Sequence, residues 1–302
     1  MAKIINKKTL KIVLSLQRQE ITEYHVYTSL ARFCKDQHNA EVLRTVGEAE
    51  KTHSEFWHEK TGVSVKPSRF KIAWIILQAR ILGLTFVLKR MEKGEGTASK
   101  MYMELYREFP EVKAFSEAEA AHEQELLAML DEERLRYAGS VVLGLNDALV
   151  ELTGALAGFT LALGETKLIS LAGLVTGISA AFSMAASEYL SCKAEPQSNP
   201  KGEGSPLEND PRAAKSALYT GAAYIITVAL LITPFLVAHN KFIALGITLF
   251  LAVLIIFCFN YYLATAKDLD FKRRFAEMAL ISLGVAALSF GVGWVLKIAL
   301  DV

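Results

Sequence analysis

The sequence predicts an all-α protein in two parts, a four-helix bundle over residues 1–136 followed by a five-helix transmembrane domain over residues 137–302. Three observations lead there. Charge is segregated, because residues 1–136 hold 22 of the 33 Lys and Arg and 20 of the 32 Asp and Glu, so water belongs mostly to that part. The remainder contains five apolar stretches, at about 137–162, 168–190, 214–238, 242–264 and 276–300, each long enough to cross a bilayer as a helix. In the first part, apolar residues recur every three or four positions, the period of a helix with one face in a core. A hydrophobic content of 52% and a positive mean hydropathy also exceed what an ordinary soluble domain carries.

In chain order, the first stripe runs through Leu10, Val13, Gln17, Glu20, Tyr24, Tyr27 and Ala31, and the second through Leu43, Val46, Glu50, His53 and Trp57. Each places acids, and the second a histidine, on the face expected to be buried. The pattern then repeats. Glu95 precedes Tyr102 by seven residues as Glu20 precedes Tyr27, and Glu119-x-x-His122 echoes Glu50-x-x-His53. Residues three apart on a helix point the same way, so each Glu-x-x-His offers a carboxylate and an imidazole to one point. Two such motifs plus one Glu from each of two further helices make the ligand set of a di-iron or di-manganese carboxylate cluster. Without metal those acids would be like charges in a core, forced to take up protons. Glu92, one turn before Glu95, is either an additional movable ligand or a salt-bridge partner of Lys89 or Lys93. His25, His38 and His58 fall off the stripes and are expected at the surface.

Residues 8–134 on this pattern resemble the ferritin-like superfamily, and within it the rubrerythrin-type domain. The resemblance implies Glu20, Glu50, His53, Glu92, Glu95, Glu119 and His122 as metal ligands. It does not extend to a rubredoxin-type iron module, because no Cys-x-x-Cys follows. Cys34, Cys192 and Cys258 have no metal-knuckle spacing and read as reduced thiols. The polar, basic start lacks a secretory signal pattern, so this part is expected to stay in the cytoplasm.

An apolar helical run from about Arg69 to Leu88, interrupted by Gln78 and Arg80, is too short and charged for a membrane span and suits a crossover along the bundle or a contact with a second subunit. From Glu111 to Leu163 the chain passes without proline from the last bundle helix into the first span, with Gly139 and Gly144 at the membrane entrance, where the first could break or bend it. The connections between spans sort by charge. Lys193, Lys201, Arg212 and Lys215 lie around the second, and Lys267, Lys272, Arg273 and Arg274 around the fourth, whereas the first and third offer Lys167 and Lys241. The even connections and the N-terminal domain therefore face the cytoplasm and the C-terminus faces the opposite side of the cell membrane. Residues 192–211, rich in Pro, Gly, Ser and Asn, read as a loop.

Polar residues inside spans are costly and mark a path or a partner. The first span carries Asn146, Asp147 and Glu151, and the second carries Met184 and Glu188, each pair one turn apart. Carboxylates with a thioether suit a divalent transition ion. Gly154 with Gly158, and Gly173 with Gly177, are spaced for close helix contact within or between subunits. The sequences Gly-Leu-Asn-Asp-Ala-Leu-Val at 144–150 and Ser-Met-Ala-Ala-Ser-Glu-Tyr at 183–189, with the five spans, resemble the vacuolar iron transporter family over residues 137–302. That resemblance implies dimers that move Fe²⁺, and Mn²⁺, out of the cytosol in exchange for protons, through Asp147 and Met184 with Glu151 and Glu188 nearby. The glutamate-rich insertion of the plant-type members is missing between spans two and three, and the N-terminal domain stands in its place. The expectation is a metal exporter in a lipid bilayer with no nucleic-acid partner; the alternative is a membrane-anchored di-iron oxidase or peroxide scavenger.

Overall fold

The computed structural model describes residues 6–92, 109–113, 137–194 and 211–300, with Leu105, Phe115, His122 and Leu126 between them. The regular elements among these residues are helices. The chain divides into two compact units, Met1–Glu132 and Glu133–Val302.

In the first unit, α1 (Lys7–Phe33) and α2 (Gln37–Thr61) pack as an antiparallel pair. Short side chains start both helices: Asn6 accepts from the Lys8 amide at 3.3 Å and Asp36 from the Asn39 amide at 2.8 Å. Gly62, at φ +68°, closes α2 in the left-handed conformation that only glycine adopts without strain. Val13, Leu16, Val26 and Leu30 meet Leu43, Val46 and Trp57 in the interior. Trp57 also takes the Phe109 ring edge-on, with centroids 5.5 Å apart.

The apolar run after α2 is not the single helix expected to reach Leu88. It divides at Gly83, whose φ of +95° ends α3 (Arg69–Leu82), and residues 84–92 form a separate α4 that buries Phe86, Val87 and Leu88. The 14 residues of α3 span about 21 Å, short of a bilayer core, and α3 packs on α1 with Ile75 inward. Glu95, Tyr102 and Glu119, and with them half of the repeat, lie outside the described residues.

The second unit comprises α5 (Ala138–Ala162), α6 (Thr166–Ala194), α7 (Pro211–Val237), α8 (Lys241–Ala266) and α9 (Phe271–Leu300). All five are long and apolar enough to cross a membrane. α5 touches each of the other four, most extensively α9, while α6 pairs along α7. Leu149, Leu152 and Leu156 of α5 form the middle of the core with Tyr224, Val228 and Phe235 of α7.

Glycines set the distances. A side chain at Gly144 would collide with the Thr220 carbonyl, one at Gly158 would sit 3.1 Å from the Ser289 carbonyl oxygen, and one at Gly293 would strike the Gly158 carbonyl. Gly173 and Gly177 receive Leu156 and Val228 at 2.7 Å from where a Cβ would be. These small-residue pairs are thus used within the chain. α5 also runs unbroken through Gly139 and Gly144, so neither ends the helix. α6 continues to Ala194, past the point where a loop was expected, and residues 195–210 lie outside the described residues.

Candidate metal sites

The polar residues of the spans form a ladder along the α5–α6 hairpin. At its start the Ser140 hydroxyl donates to Glu188 Oε1 at 2.7 Å, and the Cys192 thiol donates to the same oxygen at 3.8 Å. The helices run antiparallel, so Met184, one turn before Glu188, lies one turn further in, half-buried against the transmembrane core. Asp147, seven residues beyond Ser140, is about 10 Å deeper along α5 at 1.5 Å per residue, and Glu151 a further turn. The carboxyl groups of Asp147 and Glu151 are within reach of one another. Tyr224 of α7 donates its hydroxyl to Glu151 Oε2 at 2.9 Å. Asn146 Oδ1, beside Asp147, is buried and accepts no hydrogen bond from the described residues. Glu151 is exposed on this single chain. A carboxylate there has to face water, an ion or another protein surface, because hydrocarbon solvates it poorly.

Asp147 and Glu151 thus come together as their spacing requires, while Glu188 sits apart from them at the Ser140 level. Sequence reasoning missed Ser140, Cys192 and Tyr224. Tyr224 had a signal, since a tyrosine within an apolar span needs a partner for its hydroxyl.

In the first unit, the buried faces of α1 and α2 gather carboxyls. Glu20 Oε1 accepts from Trp57 Nε1 at 3.2 Å, which orients it beside α2. Glu50 Oε2 lies 3.8 Å from His53 Nδ1, both are buried, and the His53 ring is 4.3 Å from that of Phe115. Glu23 is a further member, buried at 6% exposure. Burial, and then the charge of Glu50, push its carboxyl up to about 8, although Lys71 Nζ at 3.5 Å opposes the shift. Glu92 pairs with Lys89 at 3.5 Å. His122 is helical and half-buried. Among the described residues no group of three or more His, Cys, Asp or Glu gathers around one point; Glu95 and Glu119 are not among those residues. His25, His38 and His58 are exposed, and His58 Nδ1 lies 3.0 Å from the Val63 carbonyl. Buried carboxyls with an imidazole are a donor set that fits a divalent transition ion, which would offset the cost of their burial.

Five apolar helices, two of which carry acids along one hairpin, define a multi-pass membrane protein. Residues 138–202 match the VIT family. The matched segment contains Asp147, Glu151, Met184 and Glu188, and with the five spans it fits a membrane-embedded ion transporter. Among curated proteins no sequence matches the chain.

Proposed function

We propose that the protein exports Fe²⁺, and Mn²⁺ with it, from the cytosol across the cell membrane in exchange for protons, and that it works as a homodimer. The observation that carries this reading is the acid pair Asp147 and Glu151 inside an apolar helix of the VIT-matching segment. A simple anchor has no use for such groups, whereas a cation path needs charge compensation and titratable oxygens. Glu188 and Met184 supply, in order from one end, an oxygen and a sulfur, a pairing suited to borderline ions. The exposure of Glu151 on one chain supports a path completed by a second subunit. Lys193, Arg212, Lys215 and the cluster at Lys272, Arg273 and Arg274 support a cytoplasmic N-terminal unit with the C-terminus on the opposite side.

In the N-terminal unit, Glu20, Glu50, His53, Glu92, Glu95, Glu119 and His122 are assigned to a two-metal site of ferritin-like type, holding iron or manganese, that captures or senses the exported ion. Bound there, the metal would supply redox or Lewis-acid chemistry. The chain's own contribution is to bury the acids and to orient Glu20 through Trp57.

Proteoliposomes carrying the full chain test the path. Asp147→Ala is expected to lower Fe²⁺ flux at least about tenfold, the scale of losing one well-placed charged interaction; undiminished flux would sink the assignment. The buried acids of α1 and α2 favour one second reading, a membrane-anchored di-iron oxidase or peroxide scavenger. If the Asp147→Ala protein still consumes Fe²⁺ with oxygen or peroxide over many turnovers, the oxidase is the better description. Stoichiometric uptake that stops after site filling fits capture.

A further inference from the structure

We propose that α3 is a membrane-surface element, an in-plane helix whose outer face lies against the anionic lipid headgroups next to the N-terminal unit. Phe70, Trp74, Leu77 and Ile81 recur at steps of four, three and four. At about 100° per residue they share one sector roughly 60° wide. They stay exposed by 82%, 48%, 46% and 63%. The helix cannot roll this stripe inward, because the opposite side is committed: Ile75 is fully buried where α3 packs on α1.

Charge selects the occupant. α3 has no acid and carries Arg69 and Arg80 on one flank of the stripe, with the Arg80 guanidinium 4.4 Å from the centroid of the exposed Phe33 ring, and on the other flank Lys71, half-exposed while it pairs with Glu23. Cations bordering an apolar stripe that holds a tryptophan are the signature of a helix lying at a headgroup boundary, where the long side chains reach phosphates while the rings sink between acyl chains. A second copy of α3 would bring the same cations face to face. The stripe also offers only roughly 500 Å² of apolar surface, against about 800 Å² per partner in a stable protein interface. A bilayer has no such minimum, and the five spans of α5–α9 keep one within reach of this chain.

Full-length protein in nanodiscs of phosphatidylcholine with about one third phosphatidylglycerol, brominated on their acyl chains, tests the proposal. Subtracting the emission of Trp74→Phe protein isolates Trp74 from Trp57 and Trp294. Trp74 emission is expected to fall about twofold against unbrominated discs, and to recover in neutral lipid or in a Phe70→Ser/Ile81→Ser variant. No quenching of the Trp74 component overturns the proposal. So does a Trp74 blue shift that requires two protomers per disc and is insensitive to bromine, which would place a second copy on the stripe. Quenching that survives Phe70→Ser/Ile81→Ser overturns the role given to the stripe.

Discussion

Glu23 shows how far one buried carboxyl reaches. Its folded-state carboxyl titrates near 8, against an ordinary value of 4.5, because burial and Glu50 disfavour its charge. The folded chain therefore holds a proton that the unfolded chain releases above about 4.5. The stability tied to that proton is fully present below about pH 4.5 and is lost as the pH rises through 8. In protein stripped of metal by chelation, Glu23→Gln is expected to raise the melting temperature of the N-terminal unit at pH 8 by roughly 5 °C or more, with little change at pH 4.5. Thermal scans at the two pH values check this, and an equal effect at both would refute the burial argument. The residue escaped sequence reading for a geometric reason. The stripe through Glu20, Tyr24 and Tyr27 and the stripe through Glu20, Glu23 and Tyr27 have the same helical period. The choice between them is made by tertiary packing: α2 brings Glu50 toward Glu23, and α3 brings Lys71 to it.

Among the elements, the spans were the most readable. An apolar run long enough for a bilayer overrides local propensity, and α5, α7 and α8 begin and end within three residues of expectation. Gly83 was harder, because an apolar run reads the same on either side of a helix break, and only its φ of +95° separates α3 from α4. Gly154 and Gly158 of α5 were legible as contact points but not as to partner, which is α9 at Val285 and Ser289. Gly139 and Gly144 read instead as the membrane entrance; Gly144 meets the Thr220 carbonyl, and Gly139 has open space around it. Gly144→Val is expected to cost about 1–3 kcal/mol or more by overpacking, whereas Gly139→Ala should leave stability unchanged or slightly higher. Unfolding of the two variants in detergent, followed by circular dichroism, separates them; equal behaviour would contradict the close α5–α7 approach.

For the whole molecule, the two-metal assignment predicts a composition. The purified full-length chain is expected to carry more than one equivalent of iron or manganese per subunit. Glu50→Ala/His53→Ala should remove most of it while leaving the five spans folded. Elemental analysis with a control for native migration in detergent measures both, and unchanged metal content would exclude this site. The acids of the spans and the repeated Glu-x-x-His spacing stood out in the sequence because repeats and polar residues in apolar runs are local signals. The hydrogen-bond partners of the span acids, Tyr224 for Glu151 and Ser140 for Glu188, come from other helices of the same chain and become visible only in three dimensions.

The central place of α5 bears on how such a protein can move. It is held backbone against backbone on two sides, to α7 at Gly144 and to α9 at Gly158 and Gly293, with no flexible side chains between to absorb a shift. In the proposed transport cycle α5 is therefore the fixed part, carrying Asp147 and Glu151, and the movement falls to the surfaces that face them.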